Sequence, residues 1–394
     1  MGHFQKSLTY FSLNWLNFFV FFDILICTFY RIVFIFYEKG MKRGMGKHNK
    51  TNEKEKKNLK TQELNKQKKA KKGSKKKKHI GLKIFFILII LLGIFVAKRL
   101  YDAKGNWLAA ILGHNEETLK NLDKLQVLIL GESTGMSDTI IVASYDPKTQ
   151  EAALMSIPRD TFIGDNKEKT SVYDKINSLY SSGTTPEKTL AAVNKLTGLD
   201  LKYYIIVDTK ALQKLVDTIG GVEFDVPIDM NYDDSSQNLH IHLKAGLQTL
   251  DGEHAEQLVR FRHNNNGSSY SYSYGDNDLG RMKTQRNFIV ATAKQTIKMK
   301  NITQIGNIID IVKEYVDTNL DFDYIKDYIP YAIQMDINNI KTAQLPGRAE
   351  YLGYLSFFLC DEKETKELVN ELFFNVPSTD NEETSQNNVT NTDS

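Results

Sequence analysis

The 394-residue chain is 41% hydrophobic and 25% charged, a composition that suits one or two globular domains. Its formal net charge of +3 is unevenly distributed, because residues 41–83 carry 18 Lys and Arg against three Glu, whereas the sequence after them is net acidic. The two cysteines, Cys27 and Cys360, exclude a disulfide framework in that acidic part.

Residues 1–40 contain a hydrophobic, aromatic-rich stretch, FFVFFDILICTFYRIVFIFY, with Asp23 and Arg31 near its middle. Two interpretations stay open. The stretch is an additional transmembrane segment, or residues 1–40 are translated upstream sequence and the protein starts at Met41 or Met45. Neither interpretation changes the topology of the segments that follow.

Residues 84–101 are predicted to form a transmembrane anchor after the Lys-rich cytoplasmic segment of residues 41–83. The apolar run IFFILIILLGIFVA lacks the polar stripe of a buried globular helix, and no A-x-A-like cleavage site follows it. Because positive residues favour the cytoplasmic side, the sequence after the anchor is predicted to be extracellular. We interpret the lysines as a topology signal beside membrane lipid, and we expect no nucleic acid partner.

Three further segments are predicted after the anchor. Residues 102–124 are a linker, residues 125–375 form one domain, and residues 376–394 form a polar, disordered tail. Strands and helices alternate along the domain. We therefore predict an α/β fold in which helices flank a central mixed β-sheet, an α/β/α sandwich.

The elements follow from periodicity and turn signals. LQVLIL, YYIIV and VEFDV are predicted strands, and SDTIIVASYDPKTQEAALMSIPRDTF (Ser137–Phe162) is a predicted β-hairpin. Helices are predicted in PEKTLAAVNKLTG, with Thr185 as its cap and Gly198 as its stop, at residues 209–219 and 251–259, and from Arg281 to Lys300. Two further helical stretches precede Asn339–Leu345, and EYLGYLSFFLC followed by a helix over residues 362–373 completes the domain.

A hairpin brings the start of its first strand beside the end of its second, so Asp138 is predicted to lie near Arg159 and Asp160. Two roles are open for Asp160. Either Asp160 holds Arg159 in position through a bidentate ion pair, or it is the general base for an acceptor hydroxyl.

Gly131-Glu132-Ser133-Thr134-Gly135 matches the G-x-S-x-G elbow of serine hydrolases, with His240, His242, His254 and His263 downstream as possible bases. That elbow requires a helix directly after it. A β-branched run, TIIVASY, follows instead, so we do not predict a hydrolase of this type.

Two arginine motifs follow. If VRFRH is extended, Arg260 and Arg262 point to the same face, whereas in a helix they diverge. In DLGRMKTQR, Arg281 and Gln285 are i,i+4 neighbours on one helix face. The loop between the motifs, NNNGSSYSYSYGDND, is either a flap near a ligand or an ordinary disordered surface loop.

Together these motifs predict a diphosphate site. Several guanidinium groups are needed to hold a diphosphate, and a divalent cation on carboxylates such as Asp138 would neutralise its bridging oxygens. We recognise no His/Cys cluster of the zinc type and no Walker glycine loop, so zinc and nucleotide sites are not predicted.

These residues resemble the LytR-CpsA-Psr family of cell-wall glycopolymer transferases. The resemblance covers about residues 125–375. It is carried by the hairpin sequence, DKINSLY, VNKLTGLDLKYYIIVD, LVDTIGGVEFDVPIDM, LDGEHAEQLVRFR and DLGRMKTQR.

The resemblance implies a Mg2+-dependent phosphotransfer at the outer face of a Gram-positive membrane. Such enzymes move a phosphate-linked glycopolymer, for example teichoic acid, from an undecaprenyl-diphosphate carrier to a peptidoglycan sugar hydroxyl. The polyprenyl chain would lie in an apolar tunnel between sheet and helices. By position the resemblance implies catalytic residues Asp138, Arg159, Arg260 and Arg262, diphosphate-binding residues Arg159, Arg260, Arg262, Arg281, Gln285 and Lys175, and metal-binding residues Asp138 and Glu132.

Two positions depart from the family pattern. An aspartate is usual soon after the first strand, where this chain has Glu132 or Ser133, and Thr284 stands where an arginine is usual. Two other functions stay open, a membrane-tethered polyprenyl-lipid-binding regulator and a polyprenyl-diphosphate hydrolase.

Overall fold

A computed structural model describes residues 85–133, 135–275, 277–298 and 304–374 of this chain. The predictions for residues 1–83 and for the tail at 376–394 lie outside the described residues. The chain divides into two compact units, Met1–Leu119 and Lys120–Ser394.

The described part of the first unit is helical. Helix α1 covers residues 85–102, and α2 (Trp107–Leu112) is capped by Asn106, whose side chain accepts a hydrogen bond from the backbone N–H of Ala109 at 2.9 Å. Helix α3 (Glu116–Asn121) follows, so the predicted linker is largely helical. Among the described residues, no helix has both the length and the hydropathy that a bilayer crossing requires. The anchor at residues 84–101 stays a prediction.

The second unit is built on a six-stranded mixed sheet, as predicted, in the order β10-β3-β2-β1-β4-β9. Strand β1 pairs antiparallel with β2 and parallel with β4, while β3 pairs antiparallel with β2 and parallel with β10. The strands are β1 (Leu125–Ser133), β2 (Met136–Asp146), β3 (Glu151–Ser156), β4 (Tyr203–Val207), β9 (Val316–Thr318) and β10 (Lys341–Gln344).

Within the described residues of this unit, three two-stranded sheets and eight α-helices accompany the central sheet. The small sheets are β5 (Val222–Val226) with β8 (Gly246–Leu250), β6 (Met230–Asp234) with β7 (Leu239–Leu243), and β11 (Gly347–Leu352) with β12 (Leu355–Cys360). The helices are α4 (Glu187–Thr197), α5 (Thr209–Thr218), α6 (Gly252–Arg260), α7 (Asn277–Thr296), α8 (Ile305–Tyr315), α9 (Phe322–Lys326), α10 (Ile329–Ala332) and α11 (Glu362–Val369).

Apolar side chains form two main cores. The first covers one face of the central sheet, where Ile140 and Met155 pack with Val193 of α4 and Val369 of α11. The second joins helices α5, α6 and α7 to the sheets β5–β8 and β6–β7 and includes the fully buried Phe288. Alternation makes β5 amphipathic, because the first, third and fifth residues of VEFDV are buried and the other two are exposed. The two cores hold the two parts of the candidate site, the β2–β3 hairpin and helix α7.

Several predicted elements are corrected by the structure. Strands β6 to β9 were not predicted, because their polar residues and turns interrupt the apolar pattern. Helix α7 begins at Asn277 and not at Arg281, so Gly280 lies inside the helix. Helix α4 takes Pro186 as its N-cap, whereas Thr185 hydrogen-bonds the side chain of Glu187, which lowers the pKa of that carboxyl. Gly198 ends the helix with φ of +72°, as predicted.

Candidate active site

Asp138 lies on β2 at an irregularity of the sheet. Gly131 pairs with Thr139 and Glu132 pairs with Ser137, so Asp138 is an extra residue without a partner on β1, which is a β-bulge. On its other side β2 pairs with β3 up to Ile141 opposite Ser156, and three more residues of this register place Asp138 opposite Arg159. Their side chains form an ion pair between Oδ1 of Asp138 and Nη1 of Arg159. The predicted approach of these two residues is confirmed.

Asp278, in the first turn of α7, connects the arginines. Its Oδ1 atom lies 2.7 Å from Nη2 of Arg281, 3.8 Å from Nε of Arg262 and 3.9 Å from Nε of Arg159. Because Arg159 also binds Asp138, residues from the hairpin, from the segment after α6 and from α7 form one charged cluster. We call these five residues the Asp278 cluster.

The sequence did not predict Asp278 as a site residue, although the motif DLGRMKTQR begins with it. The error follows from the predicted helix start, because a residue before the helix has no fixed relation to Arg281. With α7 starting at Asn277, Asp278 and Arg281 are i,i+3 neighbours on one face. The signal that could have found it is this Asp-x-x-Arg spacing at a helix N-terminus.

The cluster is partly buried, which strengthens its electrostatic interactions. Burial alone would lower the pKa of Arg159, but the carboxylates of Asp278 and Asp138 raise it above its usual value. Arg281 has a side chain only 7% exposed, and burial lowers its pKa despite the neighbouring Asp278. The Nε atoms of both arginines are buried without a hydrogen-bond partner among the described residues. These unused donors are suited to bind the oxygens of an anion.

Arg260 does not join the Asp278 cluster through any contact of the described residues. It is the last residue of α6, and its guanidinium lies 2.9 Å from Oε1 of Glu256 and donates to Oε1 of Gln237 at 3.3 Å. The condition for a shared face, an extended VRFRH, is therefore not met, because Arg260 still belongs to α6. The helix ends between them, and the two side chains have different partners.

This difference predicts unequal effects of two substitutions. Arg262→Ala is expected to lower the rate of the reaction at the cluster by ~10²-fold, because it removes a guanidinium beside Asp278. Arg260→Ala is expected to act mainly on stability, since it removes the ion pair of the largely buried Glu256, which then keeps only its hydrogen bond from Gln213. Measuring the initial rate and the urea unfolding of both variants tests this prediction. A larger rate loss in Arg260→Ala would contradict it.

Asp160 and Lys175 pair with each other. Oδ1 of Asp160 accepts a hydrogen bond from Nζ of Lys175 at 2.8 Å, and the same ammonium lies 5.6 Å from the centre of the Phe357 ring. The predicted bidentate pair between Asp160 and Arg159 is wrong, since Arg159 contacts Asp138 and Asp278 instead. The proposed role of Lys175 in diphosphate binding and that of Asp160 as general base stay predictions.

Two other predicted site residues have local partners. Oε2 of Glu132 accepts a hydrogen bond from the hydroxyl of Tyr180 at 2.6 Å, and burial together with this bond raises the pKa of Tyr180. Gln285 is buried and donates to the carbonyl of Val259 at 2.9 Å, so it holds α7 against α6 just before the two arginines. Neither side chain contacts the Asp278 cluster in the described structure.

The tyrosine-rich loop is packed against α7. Tyr270 is 3% exposed, stacks on Tyr274 and meets the edge of Phe261. The hydroxyl of Tyr274 lies 3.1 Å from that of Thr284, the residue that replaces the usual arginine. Gly280 has no room for a Cβ, which would lie 2.5 Å from the Tyr270 ring. The described part of this loop is therefore not an ordinary disordered surface loop.

Arg286, two residues beyond Thr284, is 7% exposed, and its Nε and Nη1 atoms have no hydrogen-bond partner within the described ranges. Burial lowers its pKa to about 10. We expect Arg286→Met to raise the free energy of unfolding by about 1–4 kcal/mol, because it removes a buried, unpaired charge.

The pH dependence of this gain follows from the direction of the pKa shift. The folded protein bears the full penalty of the charged Arg286 below pH about 10, and the penalty declines as the pH rises above that value. Urea unfolding at pH 8 and at more alkaline pH measures both effects. A less stable Met variant at pH 8 would contradict the prediction.

The donor set at the cluster fits a hard divalent cation. Among the described residues, the ion pairs of Asp138 and Asp278 use only their Oδ1 atoms. Mg2+ is usually bound by one or two carboxylates together with substrate phosphates. Asp138 and Asp278 meet this requirement, whereas the carboxylate of Glu132 is bound to Tyr180.

Ser133 does not form a hydrolase elbow. It ends β1, and strand β2 follows directly after the turn, so the helix that supports an oxyanion hole is absent at this position.

Comparisons with known proteins identify the family of this chain. The LytR_cpsA_psr family model matches residues 43–373. The polyisoprenyl-teichoic acid–peptidoglycan teichoic acid transferase TagU of Oceanobacillus iheyensis is 27% identical over 312 residues, which cover 74% of this chain and 91% of the relative. The Bacillus licheniformis TagU is 28% identical over 321 residues, 76% of this chain and 96% of the relative. The crystal structure of B. subtilis TagV matches with a TM-score of 0.52 and 25% identity over 65% of this chain and 99% of that chain.

Proposed function

Because this chain belongs to the LytR_cpsA_psr family, we propose that it transfers a phosphate-linked glycopolymer to peptidoglycan during cell-wall assembly. The donor is an undecaprenyl-diphosphate-linked polymer such as teichoic acid, and the acceptor is a peptidoglycan sugar hydroxyl. Two TagU relatives are named polyisoprenyl-teichoic acid–peptidoglycan teichoic acid transferases, which supports this reaction class. The observation that carries the proposal is the Asp278 cluster, with three guanidinium groups in one partly buried site.

The arginines of the cluster bind the diphosphate. Arg159 and Arg281 offer buried Nε donors without a hydrogen-bond partner among the described residues, and the side chain of Arg262 is 46% exposed. Asp278 balances these charges while the site is free of substrate. A diphosphate that enters therefore finds cations already positioned, so little reorganisation energy is spent during the reaction.

The transfer breaks one phosphoanhydride bond and forms one phosphodiester bond. The acceptor hydroxyl attacks the phosphorus that carries the glycopolymer and loses its proton, and the lipid leaves as its monophosphate. The guanidinium groups stabilise the charge that develops on the non-bridging oxygens. Magnesium on the carboxylates of Asp138 and Asp278 would neutralise the oxygen of the leaving group.

The proposal places the catalytic domain outside the cell, with residues 84–101 as a single membrane anchor. The lipid-linked donor and the peptidoglycan acceptor would both be accessible at that surface. The lysine-rich segment before the anchor supports this orientation.

Product analysis tests the function. The full chain is incubated with a polyprenyl-diphosphate-linked glycopolymer, peptidoglycan oligomers and Mg2+, and mass spectrometry is expected to detect polymer joined to peptidoglycan through phosphate. EDTA is expected to stop the transfer and added Mg2+ to restore it. Release of free polymer phosphate by water would identify a hydrolase instead. Binding of the donor without turnover would identify a lipid-binding regulator.

A further inference from the structure

A second cluster of ligand-type side chains lies on the β6–β7 hairpin. Asp233 on β6 is the register partner of His240 on β7, and Asn231 is the partner of His242. In β7, LHIHL, the three apolar residues are buried, and the two histidines alternate with them on the exposed face. Two imidazoles and one carboxylate therefore lie side by side on a regular, two-stranded scaffold.

The distances within this group are close to those around a metal ion. Oδ1 of Asp233 lies 2.6 Å from Nδ1 of His240 and 3.3 Å from Nε2 of His242. One ligand atom from each of the three residues lies within 4.8 Å of the others. A tetrahedral ion with bonds of ~2.0–2.2 Å separates its ligand atoms by about 3.3–3.6 Å. Small side-chain rotations would bring all three ligand atoms to such an ion.

Hydrogen bonding already orients His242 as a ligand. Its Nδ1 atom lies 2.9 Å from Oδ1 of Asn231, and an amide oxygen only accepts, so Nδ1 is the donor. In the neutral ring the lone pair is then on Nε2, which faces the Asp233 carboxylate. A metal cation between these two acceptors would bind both of them. A hydrogen bond that fixes the tautomer of a histidine is typical of metal sites.

We propose that Asp233, His240 and His242 bind a divalent transition metal ion of the Zn2+ type. Zn2+ takes mixed nitrogen and oxygen ligands, and three protein ligands with a water in the fourth position are common, whereas Mg2+ prefers oxygen ligands alone. The sequence did not predict this group as a zinc-type site. Because β6 and β7 were not predicted, nothing placed Asp233 beside the histidines.

The site has a structural connection to the segment that carries Arg262. The backbone N–H of Asn231 donates to Oδ1 of Asn264 at 2.6 Å, and that of Asp233 donates to Oδ1 of Asn265 at 2.7 Å. The residues directly after Arg262 and His263 are thus hydrogen-bonded along the edge of β6. A metal ion that links β6 to β7 would stabilise the strand to which this segment is attached.

Calorimetric titration of Zn2+ into the full chain tests the proposal. The protein carries a removable tag without histidines, and excess Mg2+ is present at pH 7.5. We expect one equivalent of Zn2+ to bind and to raise the midpoint of thermal unfolding. The double variant His240→Ala/His242→Ala is expected to lose at least tenfold in affinity. His254→Ala is the matched control, because His254 is also exposed and contacts one carboxylate, that of Asp251 at 2.7 Å, outside the cluster.

The visible absorption of bound Co2+ gives a second readout that does not depend on stability. A tetrahedral Co2+ spectrum in the wild type and in His254→Ala, but not in the double variant, would support the site. Equal Zn2+ affinity of the wild type and the double variant would overturn it, and so would an equal loss of affinity in His254→Ala. The result is independent of the proposed transferase activity, because none of these residues belongs to the Asp278 cluster.

Discussion

Asp278→Ala is expected to lower the free energy of unfolding by about 3–5 kcal/mol and to abolish transfer. The substitution removes the carboxylate that lies 2.7 Å from the buried guanidinium of Arg281, and it also takes a counter-charge from Arg159 and Arg262. A buried cation left without its partner costs more free energy than the ion pair gains. Urea unfolding measures the first effect and the product assay the second.

Glu350→Ala serves as the matched control for Asp278→Ala. Glu350 forms a 2.9 Å ion pair with Arg348, whose side chain is 73% exposed. Solvent screening limits such a pair, so the expected loss is below about 1 kcal/mol. Equal destabilisation by the two substitutions would show that Asp278 does not hold the buried arginines.

Arg159→Ala is expected to leave a folded protein whose transfer rate is lower by ~10²-fold to 10³-fold. Arg159 is the residue through which Asp138 of the hairpin is linked to Asp278 of α7, and its Nε lies 3.9 Å from an oxygen of the Asp278 carboxylate. Arg159→Lys keeps the charge but not the planar fork of donors, so an intermediate rate is expected. Initial rates at saturating donor measure the loss.

Arg348→Ala controls for the loss of one positive charge, since Arg348 pairs only with Glu350 on an exposed strand among the described contacts. Its transfer rate should equal that of the wild type. Circular dichroism establishes that each variant is folded. Full activity of a folded Arg159→Ala would remove the basis of the proposed diphosphate site.

The hairpin half of the site was predictable from sequence. TIIVASY and EAALMSI are β-branched and apolar, a turn-rich DPKTQ separates them, and antiparallel pairing then fixes which residues meet at the open end. The same local signals predicted the central sheet, the strand YYIIV and the helix that ends at Gly198. Each of these predictions depends only on residues close together in the chain.

The half of the site that α7 and the segment after α6 contribute was not predictable in the same way. Whether Arg260 and Arg262 share a face depends on where α6 ends, and whether Asp278 meets Arg281 depends on where α7 begins. Helix ends depend on tertiary packing and are poorly fixed by local sequence. The pairing of Asp160 with Lys175, 15 residues away, likewise depends on how the loop after β3 folds back.

The β-bulge at Asp138 makes the activity depend on strand length as well as on side-chain identity. Side chains alternate between the two faces of a strand, so removing or adding a single residue between Asp138 and Ile141 would exchange the two faces for every residue before the change. The carboxylate of Asp138 would then point away from the face on which it now meets Arg159. We therefore infer that within those few residues only insertions or deletions of two preserve a working enzyme.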